Sequence, residues 1–484
     1  MGAVAAVVRK DNRDATKTVF HMLRELQHRG RDAHGIASYN QVFHAKNFRK
    51  LETVKLDAPA AVGYNLSKIF PQDKKQPQLT EGFALTFDGR IYPFQGKAEI
   101  AIAKELLQSN PKQARRLISE LDGDFVFTIA TETEIVAGRS AVGVCPLYYG
   151  ENHQLAAVAS EKKALWRIGL KNPYSFPPGS LAVLNAEGFH FRKVKTLSRP
   201  TIRETRMEQA VEHTSRLLME SVKKRLRDVK SAAVAFSGGV DSSLLAFLAK
   251  KCGVNPTLIW AGLRNQIELK HAEEAADALG LRLETKICSE KDVLAVLPRV
   301  LWLIEEPDPV KTCIAVPFYW AAEKASELGF NVMLAGQGSD ELFGGYKRYL
   351  NTYSTLGSEG LEAQLFHDVS TAYQTNYERD NKICAFHGVE LRLPFADYSL
   401  STYALTIAAE LKIASKQDAV RKHVLRQAAL KLGLPRFMAE KPKKAIQYAT
   451  GVAKTLKKLA RNNGLPLKTF LEKLWMEQRA GFEA

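Results

Sequence analysis

The sequence predicts an α/β protein of two domains, a mostly-β domain over residues 1–195 and a parallel-sheet domain over 208–484. Three observations carry this. Residues 1–195 alternate short apolar runs with turn residues, as half-buried strands do. From Glu208 the apolar period becomes helical, and strands then alternate with helices, the pattern of parallel pairing. Between the two, Arg199-Pro200 and the polar residues to about 207 read as a linker.

In chain order, Ala84–Phe87, Asp124–Ile129 and Leu181–Leu184 predict strands, and helices are expected near 15–28 and 98–119. A helix from Glu208 to Asp228 leads into the apolar run Ala232–Phe236. Helix 242–252, strand 257–261, helix 268–279 and strand 282–286 follow. A further strand, Asn331–Ala335, precedes a glycine-rich turn, and the chain beyond about residue 350 reads as mainly helical. Parallel sheets bind ligands beyond the carboxyl ends of their strands. The two glycine-rich turns lie at such ends and are expected to face one site.

Of the 484 residues, 45% are hydrophobic and 25% charged, an ordinary soluble composition. No apolar run approaches the length of a bilayer span. The apolar start, Met1–Ala6, is cut short by Arg9, Lys10 and Asp11, too early for a signal peptide, so a cytoplasmic protein is expected. The five cysteines, Cys145, Cys252, Cys288, Cys313 and Cys384, are scattered, which argues against a zinc site or a disulfide framework. The formal net charge is +17, from 69 basic and 52 acidic residues. It raises tRNA as a less favoured partner, but the basic cluster from Lys441 to Lys473 largely reads as a solvated helix face.

The string Ser237-Gly238-Gly239-Val240-Asp241-Ser242-Ser243 joins a strand to a helix. Helix N-termini present unpaired N–H groups and the positive end of a dipole. Two glycines let backbone approach an anion, and the serines add hydroxyl donors. This is a cradle for pyrophosphate, and Asp241 implies a bridging Mg²⁺. It lacks the G-x-x-x-x-G-K-[ST] pattern and resembles the ATP pyrophosphatase superfamily, whose members split ATP into AMP and pyrophosphate. The second turn, Ala335-Gly336-Gln337-Gly338-Ser339-Asp340-Glu341-Leu342-Phe343-Gly344-Gly345-Tyr346, offers Asp340 as a Mg²⁺ ligand opposite Asp241.

Together the two turns resemble the synthetase domain of glutamine-dependent asparagine synthetases. Glu305–Pro309, Arg379-Asp380 with His387–Asp397, and Lys441–Tyr448 resemble further family segments, in family order. The first half resembles the family's class II glutaminase domain. Leu26–Gly35 is similar to its H-R-G-P-D segment, Phe87–Tyr92 to its N-G-E-I-Y segment, and Gly143–Tyr149 and Ala159–Leu165 to two more. The fold this implies is a four-layer α-β-β-α sandwich of the N-terminal-nucleophile hydrolase type, followed by an ATP pyrophosphatase sheet.

Such glutaminases use a thiol at residue 2; here it is Gly2. The family's oxyanion-hole Asn falls on Asp88 and the following Glu on Arg90. The carboxylate-binding Arg falls on Leu66, and the amine-binding Asp on Ala98. Five changes in one pocket predict a domain that no longer hydrolyses glutamine.

The resemblance implies an ATP-dependent ligase that activates an aspartate-like carboxylate as its acyl-adenylate and amidates it with ammonia or another amine. Ser237, Gly238, Gly239, Asp241, Ser242 and Ser243 would hold pyrophosphate. Ala261, Gly262, Leu263, Ala335 and Gly336 would border adenine and ribose, and Lys443 would stabilise charge as pyrophosphate leaves. Gln337 stands where asparagine synthetases carry Glu; an amide positions a substrate but cannot act as a base. Glu390 is the best remaining candidate base, or else pairs with Arg392. The alternatives are a lactam-forming synthetase and an RNA-modifying enzyme with the same adenylation chemistry. A homodimer is one expected assembly.

Overall fold

The computed structural model describes residues 1–203, 206–441 and 450–483. The chain divides into two compact units, Met1–Thr196 with Glu477–Ala484, and Leu197–Met476.

In the first unit, two antiparallel sheets of seven and six strands are found among the described residues. Strand Gly2–Arg9 sits inside the larger sheet, between Leu155–Ala159 and Ala60–Leu66. Its side chains alternate with the period of two that a strand imposes. Ala3, Ala5 and Val7 join Val19, Leu23 and Leu165 in a core under the helices Thr16–Glu25 and Lys162–Trp166. Val4, Ala6 and Val8 face Val126, Ala137 and Leu184 of the second sheet. That sheet turns Phe83, Leu85 and Phe127 outward onto Ile100, Ala103 and Leu117 of the outer helices. The four layers are those expected. The helix expected over 98–119 is instead two, Glu99–Leu107 and Arg115–Ser119. Pro111 cannot donate a helical hydrogen bond, and Gln108 and Ser109 take left-handed φ of 50° and 56° before it.

Among the described residues the second unit holds a five-stranded sheet, paired in parallel throughout. Its order is Leu283–Cys288, Asn255–Leu263, Ser231–Ala235, Val332–Leu334, Glu390–Arg392. The first three strands wind outward in one direction, and the chain then returns to build the last two on the other side. The order therefore reverses between Ser231–Ala235 and Val332–Leu334, the switch point where such sheets bind ligands. Both strands run directly into a glycine-rich turn. Helices Val240–Lys251, Ile267–Leu279, Glu290–Ile304 and Pro309–Glu327 cover the sheet. Ala232, Ala233 and Val234 are wholly buried, as parallel strands covered on both faces must be. The region beyond residue 350 is mainly helical, as expected, apart from the short edge strand Glu390–Arg392. No helix among the described residues is long and apolar enough to cross a membrane.

Candidate active site

The first glycine turn is closed by its own serines. Ser237 Oγ accepts from Gly239 N at 3.3 Å, and Ser242 Oγ accepts from Ser237 N at 3.2 Å. Gly238 has φ +66°, and a Cβ there would stand 3.0 Å from the Ala272 backbone, so glycine is required on both counts. Gly239 caps helix Val240–Lys251, which points its N-terminus at the turn. The Ser243 hydroxyl is buried with no hydrogen-bond partner among the described residues.

The second turn folds onto the first. Ser339 Oγ donates to Asp241 Oδ1 at 2.8 Å. A Cβ on Gly336 would lie 3.0 Å from Asp241 Cβ, so glycine lets the two turns touch. One cavity spans both, lined by Ser237, Asp241, Ser242, Ala261, Ala335, Gly336, Gln337 and Asp340 of the expected site. Its apolar wall, formed by Trp260, Ile314 and Phe318, had no signature in the sequence, nor did Glu268, Asn376 and Thr450; Tyr346 closes the second turn. Gly262 and Leu263 continue the strand beyond Ala261 without lining that cavity; Leu263 N donates to Thr450 O at 2.9 Å.

Lys422 carries no signature in the sequence. Its ammonium lies 2.8 Å from both carboxylate oxygens of Asp241 and 2.6 Å from Asp340 Oδ1. A cation thus bridges the two acids, which is the arrangement a phosphate-bound Mg²⁺ needs. Among the described residues no cluster of three or more His, Cys, Asp or Glu could hold a metal unaided. The donor set therefore fits a divalent ion that takes its remaining ligands from phosphate and water.

Gln337 hydrogen-bonds the buried carboxyl of Asp380, which Arg379 grips through Nε at 2.7 Å and a second nitrogen at 3.0 Å. Burial raises the Asp380 carboxyl above its ordinary range, against Arg379 and Gln337. Glu341 accepts from Tyr346 Oη at 2.5 Å and from Asn376 Nδ2 at 2.6 Å. Burial, then the neighbouring Asp340, raises its carboxyl too. Asn376 belongs to a π-helical turn, Tyr373–Tyr377, an irregularity often found at functional sites.

Glu390 is placed elsewhere. It opens strand Glu390–Arg392, at the amino end, whereas the cavity lies at the carboxyl ends. Its Oε1 accepts from Arg392 Nε at 2.8 Å, and Arg392 also grips Asp228. The placement is that of the Arg392 pairing rather than of a base facing substrate. Lys443 lies outside the described residues. Lys441, just before it, donates to Gly238 O at 3.2 Å, and burial lowers its ammonium's pKa. The downstream basic helix Val452–Asn462 is amphipathic: Val452, Ala453, Leu456 and Ala460 are buried, and Lys454, Lys457, Lys458 and Arg461 are exposed.

In the first unit, a Cβ at Gly2 would fall 2.1 Å from Asn65 O and 2.6 Å from the Tyr64 ring. Asp88 accepts from Tyr64 Oη at 3.1 Å. Arg90 bonds Asp73 at 2.8 Å and Glu99 at 3.1 Å, and stacks 4.7 Å over Phe70. A cavity lined by Tyr64, Leu66, Asp73, Arg90, Ala98 and Glu99 keeps about 20 Å³, room for about one water.

Comparison with known proteins agrees with this architecture. The asparagine synthase family profile matches residues 213–358 and 353–479, and a glutamine amidotransferase domain profile matches 1–175. A Methanocaldococcus jannaschii protein, itself provisionally assigned as asparagine synthetase [glutamine-hydrolyzing] 1, is 31% identical over 99% of both chains. The chain belongs to the asparagine synthetase family. Asparagine synthetase B [glutamine-hydrolyzing] of Escherichia coli K12 is 26% identical over 94% of this chain and 83% of its own. Among solved structures, a glutamine phosphoribosylpyrophosphate amidotransferase from B. subtilis, complexed with ADP and GMP, aligns with a TM-score of 0.35 and 18% identity. That match covers 58% of this chain and 65% of the other, under two thirds, and says nothing of the site. The family is one of ATP-dependent amidating ligases, so the chain is an ATP-using carbon–nitrogen ligase by descent.

Proposed function

We propose that the second unit couples ATP to amide formation on an aspartate-like carboxylate and that the first unit hydrolyses no glutamine. In the first step a carboxylate oxygen attacks the α-phosphorus of ATP, and pyrophosphate leaves. In the second, ammonia or another amine attacks the acyl carbon, gives up a proton, and AMP leaves with the former carboxylate oxygen. The observation that carries this reading is the meeting of two glycine-rich turns over one cavity, with Asp241 and Asp340 drawn onto a common cation.

Ser237, Gly238, Gly239, Ser242 and Ser243 are assigned to the pyrophosphate, supported by the helix N-terminus they surround. Asp241 and Asp340 would hold Mg²⁺, which neutralises phosphate charge when bound. Ala261, Gly262, Leu263, Ala335 and Gly336 are assigned to adenine and ribose. Gln337 orients the acceptor by hydrogen bonding, with Asp380 fixing its amide. Lys443 keeps the role of stabilising the leaving pyrophosphate. Glu390 is assigned to structure, through Arg392.

The first unit supports no nitrogen donation: position 2 has no space for a side chain, and Arg90 with its two carboxylates fills the pocket. A pyrophosphate-release screen over amino acids, with ammonium or with glutamine, tests the reading. Release that depends on one carboxylate, with product formed from ammonium and none from glutamine, is expected. Glutamate production would overturn the claim about the first unit, and carboxylate-independent release the claim about the second.

A further inference from the structure

The buried Lys422 ammonium touches Asp241, Asp340 and Ser339 Oγ, the last at 3.0 Å, and so fills the position between the acids assigned to the metal. Its delivery requires an unusual backbone. Arg421 and Lys422 are consecutive non-glycine residues with left-handed φ of 53° and 59°, a costly conformation for long side chains. The surroundings enforce it. Asp418 accepts from Val420 N at 3.0 Å and Arg421 N at 2.9 Å. Arg426 clasps the carbonyls of Val420 and Arg421 at 2.8 and 2.7 Å, and Arg421 Nε donates to Gly345 O at 3.0 Å. The approach also needs Gly345: a Cβ there would meet Asp340 Oδ1 at 1.8 Å and Lys422 Cε at 2.2 Å. Strain at two successive residues, held by this many bonds, marks a placed group rather than a chance ion pair.

We propose that Lys422 is a resident counter-cation that denies Asp241 and Asp340 to free divalent ions and yields them only when the metal arrives on the phosphates of ATP. The inference rests on the metal assignment made above. Two carboxylates offer a bare divalent ion few ligands, and no third acidic, His or Cys ligand completes a cluster among the described residues. An ammonium already bonded to both acids therefore holds its place. ATP changes the balance twice. Its phosphates complete the oxygen shell of the metal, and they give the displaced ammonium a new anionic partner. Metal and nucleotide then enter together, and the two acids are never left bare.

Equilibrium dialysis of the full chain against Mn²⁺, read as the excess Mn²⁺ on the protein side, tests this with and without α,β-methylene-ATP. The wild type is expected to take up Mn²⁺ at this site only with nucleotide. Lys422→Gln is expected to take it up without nucleotide, at least about tenfold more tightly than the wild type. If Lys422→Gln fails to fold, Lys422→Met, which keeps the stem beneath Gly345, carries the same comparison. Nucleotide-independent uptake by the wild type, or no gain in the variant, overturns the counter-cation. Failure of the wild type to bind Mn²⁺ even with nucleotide, or unchanged binding in Asp241→Asn, overturns the metal assignment beneath it.

Discussion

Ser339 Oγ donates a hydrogen bond to Asp241 Oδ1 at 2.8 Å across 98 positions of sequence. The bond joins the two glycine-rich turns, so what reads as two motifs is one surface. It also fixes the rotamer of Asp241, whose carboxylate meets the ammonium of Lys422 as well. Ser339→Ala should cost about 1 kcal/mol of stability and lower pyrophosphate release by about tenfold, chiefly by raising the KM for MgATP. Asp241→Asn and Asp340→Asn should lower release by about 10² or more, the scale of losing one transition-state contact. Full release in either Asn variant would remove both from the site.

A thiol placed at residue 2 should not confer glutamine hydrolysis. In Gly2→Cys the new Cβ meets Asn65 O and the Tyr64 ring, and strand Gly2–Arg9 is too deeply buried to move aside. Overpacking of this kind costs about 1–3 kcal/mol, which should lower the melting temperature of the first unit by several degrees. No glutamate should form from glutamine, because Arg90, Asp73 and Glu99 still fill the pocket. A gain of glutaminase activity by this single change would show that the pocket opens.

The parts of this site that could be read from sequence are those written as contiguous strings. Ser237 to Ser243 and Ala335 to Asp340 each hold a glycine pattern, a helix start and an acid within a few residues, and the parallel-sheet rule brings such turns together. Lys422 offered no such sign. It is placed by a strained turn whose reason lies in Gly345, Asp340 and Arg426, and side chains that meet only in space leave no local pattern. Glu390 shows the converse. Its motif was readable, but a three-residue strand does not reveal which of its ends faces the ligand. The break at Pro111 was present in the sequence and was outweighed there by the apolar periodicity on either side.

Gln337 is predicted to resist conversion to the corresponding acid. The amide helps hold the Asp380 carboxylate, which burial already raises above its ordinary range. Gln337→Glu replaces that donor with a like charge and raises Asp380 further. A carboxyl whose folded pKa is raised contributes stability below its unfolded pKa and loses it as pH rises through the folded one. The deficit of Gln337→Glu against wild type should therefore be larger at pH 8 than at pH 5. Differential scanning calorimetry at both values checks this; an equal deficit would mean that the two side chains do not interact through charge.

Lys412 gives the second unit a stability that should rise on the alkaline side of neutrality. Its side chain is buried, with Nζ donating to Ala404 O at 2.7 Å. Burial lowers the ammonium's pKa from 10.5 to about 7, with Glu362 opposing the shift. Between those values the unfolded chain binds the proton more firmly than the folded one. Stability therefore increases as pH rises from 7 toward 10.5, and the slope vanishes below 7, where both states are protonated. Lys412→Met keeps the length of the stem and removes the charge, so it should be more stable than the wild type at pH 7, by at least about 1 kcal/mol. The difference between the two should shrink as pH approaches 10. Urea denaturation at pH 7, 8.5 and 9.5 measures it, with every other alkaline titration common to both proteins. A constant difference across that range would mean that Lys412 is not the group whose proton is lost.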